Sequence, residues 1–335
     1  MVAGFTHRVS LSTDMYSIEV NDTNSEMTAT ELMEEFGYQT TIKIFGAITC
    51  FTIILGIPGN VFAYMTASRF TQNSSGQTFI KCLAVSDMIA GVQDGVLEST
   101  LHLIGYDIFK YHPLLCRWLG FFTYASTVSA GYVLLATAVD RMIAICRPIW
   151  YKQNSKPIRA VITTILIWIL NIVGTIPIFF EYDLEGMYCN YVFMNQWAIL
   201  REEWQFQVYY EFIFVAGFIT PGVTVLIVNL VIVYKMRNTH NKLSRREKER
   251  TVCLIVLSVS FLFCLGGLGF LNRLSTVLRD SNPSEANLVN YIRKFPAVFN
   301  NSMNFYAYFA TSSYFRRVFF QTMGLSPANV ASRNT

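Results

Sequence analysis

The stretch GYVLLATAVDRMIAICRP, residues 131–148, leads a long apolar run directly into the charged pair Asp140 and Arg141. Ionised groups at membrane depth are costly unless they have a partner or a function. Residues 131–139 are almost wholly apolar, and Arg147 begins a basic segment. The pattern therefore predicts a helix that leaves a bilayer here, with an arginine that a neighbouring aspartate can hold and release.

The composition of the whole chain is that of a membrane protein. Of its 335 residues, 53% are hydrophobic and 14% are charged, whereas average soluble domains carry about 25% charged residues. Such a chain lacks the polar surface that would cover a water-soluble core, so lipid is its expected solvent. The formal charge of +4 is small and spread among loops, which argues against nucleic acid as a partner.

Seven segments are long and apolar enough to cross a bilayer, for which a helix needs about 20 mostly apolar residues. We therefore predict an all-α membrane protein built as a seven-transmembrane helix bundle, residues 41–310. The predicted spans lie near Ile42–Ala67, Phe79–His102, Leu115–Ile145, Ala160–Phe180, Phe206–Tyr234, Thr251–Leu274 and Leu288–Ala310.

Both ends of the chain lie outside the predicted bundle. Residues 1–40 are polar and acidic, so we expect a flexible extracellular tail. This tail contains a glycosylation sequon at Asn21. Residues 324–335 are expected to form a short cytoplasmic tail.

Lysine and arginine lie mainly after the first, third and fifth predicted spans, and acidic residues predominate on the opposite side. The basic side contains Arg69, Lys81, Arg147, Lys152, Lys156, Arg159 and the run from Lys235 to Arg250. The acidic side contains the N-terminal tail, Glu181, Asp183, Glu185, Glu202 and Glu203. The positive-inside rule then predicts an N-terminus outside and a C-terminus inside. We expect this multi-pass protein in the plasma membrane.

Two of the seven cysteines are predicted to form a disulfide bond. Cys116 at the outer start of the third span and Cys189 in the second outer loop face an oxidising compartment in this topology. The other cysteines lie within spans or at the cytoplasmic edge. The bond would hold the second outer loop over the mouth of the bundle.

Several spaced motifs together resemble the rhodopsin-like G-protein-coupled receptors over roughly residues 40–322. They are Gly59-Asn60, the run Leu83 to Asp87, Cys116 ahead of Asp140-Arg141, Trp168, Pro221, Asn304-Phe305-Tyr306-Ala307-Tyr308, and Phe315-Arg316-Arg317. The chain looks like a divergent member, similar to invertebrate peptide or chemosensory receptors. The resemblance implies a receptor that activates a heterotrimeric G protein, with no catalytic chemistry and no cofactor of its own.

The resemblance assigns a switch to Arg141. In the family, an arginine at this place bridges in the resting state to an acid at the base of the sixth helix, and Glu247 occupies that place here. An agonist would favour a state with the bridge broken and a cytoplasmic cavity open to the tail of a G-protein α-subunit. The alternative is that Arg141 is only a topology anchor at the membrane surface.

The resemblance also implies a polar network in the core. Its members would be Asn60, Asp87, Asn300, Asn304 and Tyr308, which often hold a sodium ion in the family. Ala130 occupies the place where the sodium site commonly has a hydroxyl, although Ser129 is adjacent, so a sodium ion near Asp87 stays open. The alternative is a protonated Asp87 hydrogen-bonded to its neighbours.

Residues 311–323 are predicted to form an amphipathic helix on the inner membrane face. Phe315, Val318 and Phe319 fall on one side of this helix and the arginines on another. A frayed tail is the alternative.

The sixth and seventh spans depart from the family pattern. Leu265 and Gly267 stand where the sixth span usually has Trp and Pro, and its glycines favour either a flexible point or close helix packing. Phe305 follows Asn304 where Pro is usual, and Pro296 is expected to supply the bend.

The ligand is predicted to be a neuropeptide. Thr123 stands where amine receptors carry an aspartate, and Val298 stands where opsins carry the retinal lysine, so neither ligand class fits. Charged residues at the outer ends of the second, sixth and seventh spans would line a wide mouth, or would form internal salt bridges instead. These residues are Asp94, Glu98, His102, Arg273, Arg293 and Lys294.

Other functions remain as alternatives. A chemosensory receptor for a small water-borne molecule fits the same motifs, and a membrane transporter or a non-signalling scaffold belongs to another class. Transporters tend to contain internal repeats, which this chain does not show. The scattered histidines and cysteines give no metal-site spacing.

Overall fold

The computed structural model describes residues 29–71, 74–93, 113–180, 182–185, 188–191, 212–238 and 245–325. These residues form eleven α-helices, π-helical turns at residues 91–93 and 215–219, and one β-hairpin. The helices are α1 (Ala29–Ser68), α2 (Ser75–Ala90), α3 (Pro113–Cys146), α4 (Pro148–Asn154), α5 (Pro157–Phe179), α6 (Thr220–Asn238), α7 (Arg245–Ser281), α8 (Pro283–Ile292), α9 (Lys294–Ser302), α10 (Asn304–Thr311) and α11 (Ser313–Thr322). Strands β1 (Tyr182–Glu185) and β2 (Tyr188–Tyr191) form the hairpin.

The all-α, seven-helix membrane bundle predicted from the sequence is confirmed. Within the described ranges, five helical segments are long and apolar enough to span a membrane: Gln39–Ser68, Leu114–Cys146, Pro157–Phe179, Phe212–Asn238 and Lys248–Ser275. They correspond to the first, third, fourth, fifth and sixth predicted spans. The second span is α2, whose continuation is described as far as Gln93, and the seventh consists of α8, α9 and α10.

Several helices extend beyond the apolar segments that the sequence marked. α1 begins at Ala29, inside the stretch expected to be a flexible tail, and α7 continues to Ser281. α2 begins at Ser75, so that Lys81 lies within a helix rather than in the preceding loop. Hydropathy marks only the part of a helix that lipid surrounds, whereas Glu, Lys and Arg propagate a helix well outside it.

The seventh span is interrupted near Pro296. α8 ends at Ile292, four residues before the proline, and α9 begins at Lys294. A proline ring clashes with the carbonyl four residues earlier and has no N–H to donate to it. The bend expected at Pro296 is therefore a break in the helix just before that residue.

The fifth span contains a π-helical turn, Val215–Ile219, just before Pro221. In this turn the amide of Thr220 donates to the carbonyl of Val215 rather than to that of Ala216. The Tyr132 hydroxyl of α3 donates to the freed Ala216 carbonyl at 2.6 Å. A residue of the third span thus stabilises an irregular turn of the fifth.

The sequence did not predict two short elements in the loops. α4 follows the third span with Pro148 at its first position, where proline suits a helix start. The second outer loop contains the antiparallel strands β1 and β2, paired from Tyr182 opposite Tyr191 to Glu185 opposite Tyr188. β1 contacts α3.

The third span, α3, lies at the centre of the bundle and contacts α2, α5 and α6. The main buried cluster lies between several spans and α11, with Leu83, Val133, Leu257, Phe305 and Phe315 among its members. Large apolar side chains also cover the outside, as lipid contact requires. The core therefore fixes α11 and the end of the seventh span beside the end of α3 that carries Arg141.

Candidate functional site at the inner end of the bundle

We call the end of the bundle where α1 ends and α2 begins the inner end, and its opposite the outer end. The inner end also contains the ends of α3 and α6, the start of α7, and α11. The basic loops lie there, and the sequence predicts that this end is cytoplasmic. Asp140 and Arg141 lie near the end of α3 on this side of the bundle.

The buried carboxylate of Asp140 joins three elements. One of its oxygens accepts a hydrogen bond from the Ser75 hydroxyl at 2.6 Å, and the other accepts one from the Tyr151 hydroxyl at 2.8 Å. The backbone amide of Ser75 donates to the Ser155 hydroxyl at 3.0 Å. Asp140 thereby fixes the start of α2 and the short helix α4 against the end of α3.

Arg141 lies beside this aspartate and against α2. Its Nη2 atom is 3.6 Å from a carboxylate oxygen of Asp140. A Cβ atom built on Gly76 would overlap the same Nη2 atom, so the guanidinium rests on the glycine backbone. Sequence reasoning identified the Asp140–Arg141 pair but missed Ser75, Gly76 and Tyr151, because their proximity depends on how α2 and α4 pack.

The predicted partner Glu247 lies in the first turn of α7. Its side chain is outside the part of the structure that is described, so its bridge to Arg141 stays a prediction. Glu249 lies two residues further along and contacts α11 instead. Its carboxylate accepts from the Ser313 amide at 2.9 Å and from the Ser313 hydroxyl at 2.6 Å.

The start of the terminal helix α11 is held by Glu249, by the N-cap residue Ser312 and by bonds from its own Arg316. Its N-cap residue Ser312 accepts from the Phe315 amide at 3.2 Å, which is a common capping bond. Arg316 donates to the carbonyls of Phe309 and Ala310 at 2.7 and 2.9 Å, at the end of α10. Phe315 is buried whereas Arg317 is exposed, so the predicted amphipathic helix is present.

A small cavity lies between these elements. Its volume is about 30 Å³, and its wall includes Arg141, Arg250, Cys253, Tyr308 and Phe315. A water molecule needs about 10–15 Å³ by this measure, whereas ligand pockets measure about 300 Å³ or more. Among the described residues, this cavity therefore has room for no more than one or two water molecules.

Two members of the predicted polar network, Asp87 and Asn304, are hydrogen-bonded to each other, and two more bond to Asn301. The Asn304 amide donates to the carboxylate of Asp87, which is almost fully buried. Asn60 donates to the backbone carbonyl of Asn301 at 2.8 Å, and Asn300 donates to the Asn301 side chain at 3.4 Å. Sequence reasoning missed Asn301, which receives the bonds from both Asn60 and Asn300.

Two further groups near the network bear on the open question of sodium. The Ser129 hydroxyl accepts from Asn171 of α5 at 3.3 Å, and Ala130 is buried beside it. Tyr308 is buried and stacks on Phe315, with the ring centroids 5.5 Å apart. The Ser129 hydroxyl is thus bonded to the fourth span, and the question of a sodium ion near Asp87 stays as the sequence left it.

Cys116 is buried at the start of α3 and is disulfide-bonded. Cys189 lies on β2, opposite Leu184 of β1. Its side chain is not described, so the pairing of Cys116 with Cys189 stays a prediction. The contact between β1 and α3 places the hairpin beside the outer start of the third span.

The predicted ligand-binding residues are only partly described. Asp94, Glu98, His102 and the sequon residue Asn21 lie outside the described residues. Thr123 is half-buried in α3 and its carbonyl accepts from Ser126 at 3.2 Å, and Arg273 is exposed on α7. Arg293 and Lys294 lie at the break between α8 and α9. The ligand site therefore stays a prediction.

Comparison with known proteins agrees with this architecture. The chain matches the model of the family described as 7 transmembrane receptor (rhodopsin family) over residues 59–304. It is 25% identical to C5a anaphylatoxin chemotactic receptor 1 of Danio rerio, over 72% of this chain and 69% of that receptor. It is 22% identical to probable G-protein coupled receptor 21 of Mus musculus, over 84% of each chain. It is 25% identical to galanin receptor 2b of Danio rerio, over 73% of this chain and 65% of that receptor.

The family match covers well over half of the chain and includes the second to sixth spans, the Asp140–Arg141 pair and Asn304. The helices described above supply the multi-pass membrane architecture that the family requires. The chain therefore belongs to the rhodopsin family of seven-transmembrane receptors, whose members are receptors and not enzymes.

Proposed function

We propose that this receptor converts the binding of an extracellular peptide into activation of a heterotrimeric G protein. The observation that supports this most directly is the arrangement at the inner end. Arg141 lies in the wall of a cavity of about 30 Å³, held between Asp140 and the backbone of Gly76. Opening of this cavity would expose the charged guanidinium of Arg141.

Opening requires helices to separate around the cavity. Its wall combines Arg141 of α3 with Arg250 and Cys253 of α7 and Tyr308 of α10. A ligand at the outer end would favour the open state only if it binds that state more tightly than the closed one. The C-terminal tail of a Gα subunit would then enter the space and contact Arg141.

A peptide ligand is supported by the relatives and by the charge of the outer end. The two Danio rerio relatives are named for C5a and galanin, and such homologues bind peptides. Asp183 and Glu185 occupy β1, which contacts the outer part of α3. Acidic groups around the mouth of the bundle would attract a basic peptide.

The test measures nucleotide exchange on purified heterotrimers by the receptor in lipid nanodiscs. A basic peptide library, an acidic peptide library and a panel of small water-soluble odorants are compared across Gα subtypes. We expect basic peptides to raise exchange in the unmodified receptor and not in Arg141→Ala. Arg69→Ala is the matched control, because it removes an exposed arginine at the same end of the bundle.

Each other outcome contradicts a specific part of this proposal. A response to odorants alone would replace the peptide by a small water-borne ligand and make the protein a chemosensory receptor. Peptide binding without exchange on any Gα would remove the signalling role and favour a scaffold. Uptake of solute into receptor vesicles without G protein would indicate a transporter.

A further inference from the structure

The carboxylate of Glu249 connects α7 to the start of α11. From the start of α11 it accepts hydrogen bonds from the Ser313 amide at 2.9 Å, the Ser313 hydroxyl at 2.6 Å, and the Tyr314 amide and Ser312 hydroxyl at 3.4 Å each. Glu249 and Ser313 are 64 residues apart in the chain. The contact is therefore a tertiary one between two elements and not a local helix cap.

The chemistry of this contact favours a carboxylate. The first amides of a helix have no partner within the helix, and the positive end of the helix dipole attracts an anion. Ser312 already accepts the bond from the Phe315 amide, as a local N-cap does. Glu249 accepts from the amides of Ser313 and Tyr314. The sixth span therefore caps two further amides at the start of α11.

α11 is firmly attached to the seventh and first spans. Arg316 donates to two carbonyls at the end of α10. Phe315 is buried against Phe305, with the ring centroids 5.9 Å apart. Phe319 meets Phe62 of α1 at 5.7 Å. The start of α11 is thus a fixed support on the side of the bundle formed by α1 and α10.

α7 forms the opposite wall of the inner cavity. Arg250, Cys253 and Leu254 line that cavity from α7, and Glu249 immediately precedes Arg250. An outward movement of the start of α7 would separate the carboxylate from Ser313 and Tyr314. Because one carboxylate accepts all of these bonds from adjacent residues of α11, they would be lost together.

We propose that Glu249 is a latch that keeps the inner end closed by holding α7 against the start of α11. Opening of the cavity requires its carboxylate to leave the amides of Ser313 and Tyr314. This inference rests on the proposed function for its consequence in signalling. The latch itself concerns a movement of α7 that is measured without any G protein.

Cys253 is a native reporter of that movement. It lies one turn after Glu249 on α7, is 1% exposed and lines the cavity. The receptor in lipid nanodiscs is treated with N-ethylmaleimide, and the rate of alkylation of each cysteine is followed by peptide mass spectrometry. Cys264, buried on the same helix deeper in the bundle, is the internal reference.

We expect Glu249→Ala to raise the alkylation rate of Cys253 about tenfold, since hydrogen bonds to a charged group are among the stronger ones in proteins. The rate of Cys264 should stay the same, because a general loosening of the helix would raise both rates. Lys248→Ala is the matched control. It removes an exposed charge at the neighbouring position and should leave Cys253 protected.

Ser313→Ala gives a second, milder variant. It removes the hydroxyl that donates to Glu249 at 2.6 Å but keeps the backbone amide. We expect a smaller rise, of about threefold, at Cys253. The double variant should react no faster than Glu249→Ala alone, because both changes act through one contact. If Glu249→Ala does not reach the membrane, Ser313→Ala against the unmodified receptor decides the question.

The results test the Glu249 latch and the coupling to G protein separately. Faster alkylation of Cys253 in either variant supports the latch, even if no Gα subtype shows nucleotide exchange, in which case only the proposed function fails. Faster alkylation together with higher ligand-free exchange supports both. Unchanged protection of Cys253 in the variants that reach the membrane overturns the latch. Equal increases at Cys253 and Cys264 also overturn it, because they indicate a purely structural role.

Discussion

The guanidinium of Arg141 rests on the backbone of Gly76, at a distance that leaves no room for a Cβ atom on the glycine. The contact joins the end of the third span to the first turn of the second. Glycine is needed here for close approach and not for an unusual backbone angle. The resting position of Arg141 therefore depends on a missing methyl group as well as on the charge of Asp140.

Replacing Gly76 with alanine should displace Arg141 and raise ligand-free nucleotide exchange. The added Cβ atom would meet the far end of a flexible side chain, so the helix can keep its place while the guanidinium has to leave the glycine and Asp140. The helix itself should not weaken, since alanine is the better helix former by about 1 kcal/mol. Exchange on heterotrimers by receptor in nanodiscs measures the effect.

Gly91→Ala is the control for this variant. Gly91 lies just beyond α2, and a Cβ atom there meets nothing within 4 Å. Equal exchange by Gly76→Ala and the unmodified receptor would mean that Arg141 can shift without consequence, which would contradict the role of the glycine.

Tyr151→Phe should weaken the hold on Asp140. The variant removes a hydroxyl that donates to the carboxylate at 2.8 Å and keeps the ring. A hydrogen bond to a charged group contributes about 1.5–3 kcal/mol, so the free energy of unfolding should fall by about 1 kcal/mol or more. Ligand-free exchange should rise in the same variant, because α4 no longer fixes the end of α3.

Thermal unfolding and nucleotide exchange of Tyr151→Phe test this together. Tyr64→Phe is the matched control, since Tyr64 is 43% exposed on the outside of α1. A variant that loses stability without any change in exchange would show that Tyr151 supports the fold alone.

Asp140 and Arg141 could be predicted from the sequence, whereas most of their contacts could not. A charged pair at the end of an apolar run is visible in a linear pattern. Ser75, Gly76 and Tyr151 belong to other elements, and only the packing of α2 and α4 brings them to Asp140 and Arg141. Gly76 has no side chain, so its residue type alone does not indicate that Arg141 packs against it.

The sequence also could not show which acid of α7 meets which neighbour. Glu247 and Glu249 both lie at the start of the sixth span, and the resemblance to a family selects the first. Residues two positions apart project about 200° apart around a helix axis, so only one of them can face a given neighbour. The position of α11, which decides that Glu249 meets Ser313, follows from the buried contacts of Phe315 and Arg316.

Cys116→Ser and Cys189→Ser should produce the same loss of surface expression and of peptide binding, because each removes the same predicted bond. The double variant should be no worse than either single variant. Surface expression measured by antibody staining of intact cells and binding of the peptide library test this. Unequal defects would contradict a single shared bond as the cause of both losses.

Tyr132→Phe should lower the thermal stability of the receptor through the fifth span. The Tyr132 hydroxyl donates to the Ala216 carbonyl, which the π-helical turn and Pro221 leave without a helical donor. A buried carbonyl without a partner costs about 1–3 kcal/mol. The Ala216 carbonyl is half-buried, and little water is available at membrane depth to replace its bond. Thermal unfolding in nanodiscs should therefore shift to lower temperature by a few degrees.

Tyr234→Phe is the control for the loss of a tyrosine hydroxyl, because Tyr234 lies on the fifth span and is 62% exposed. Thr220 provides a further check, since its hydroxyl donates to the Val215 carbonyl at 2.9 Å within the same turn. If the turn depends on donors from side chains, Thr220→Val should add to the loss caused by Tyr132→Phe, because the two hydroxyls satisfy different carbonyls. An unfolding temperature of Tyr132→Phe equal to that of Tyr234→Phe would mean that the Ala216 carbonyl finds another donor.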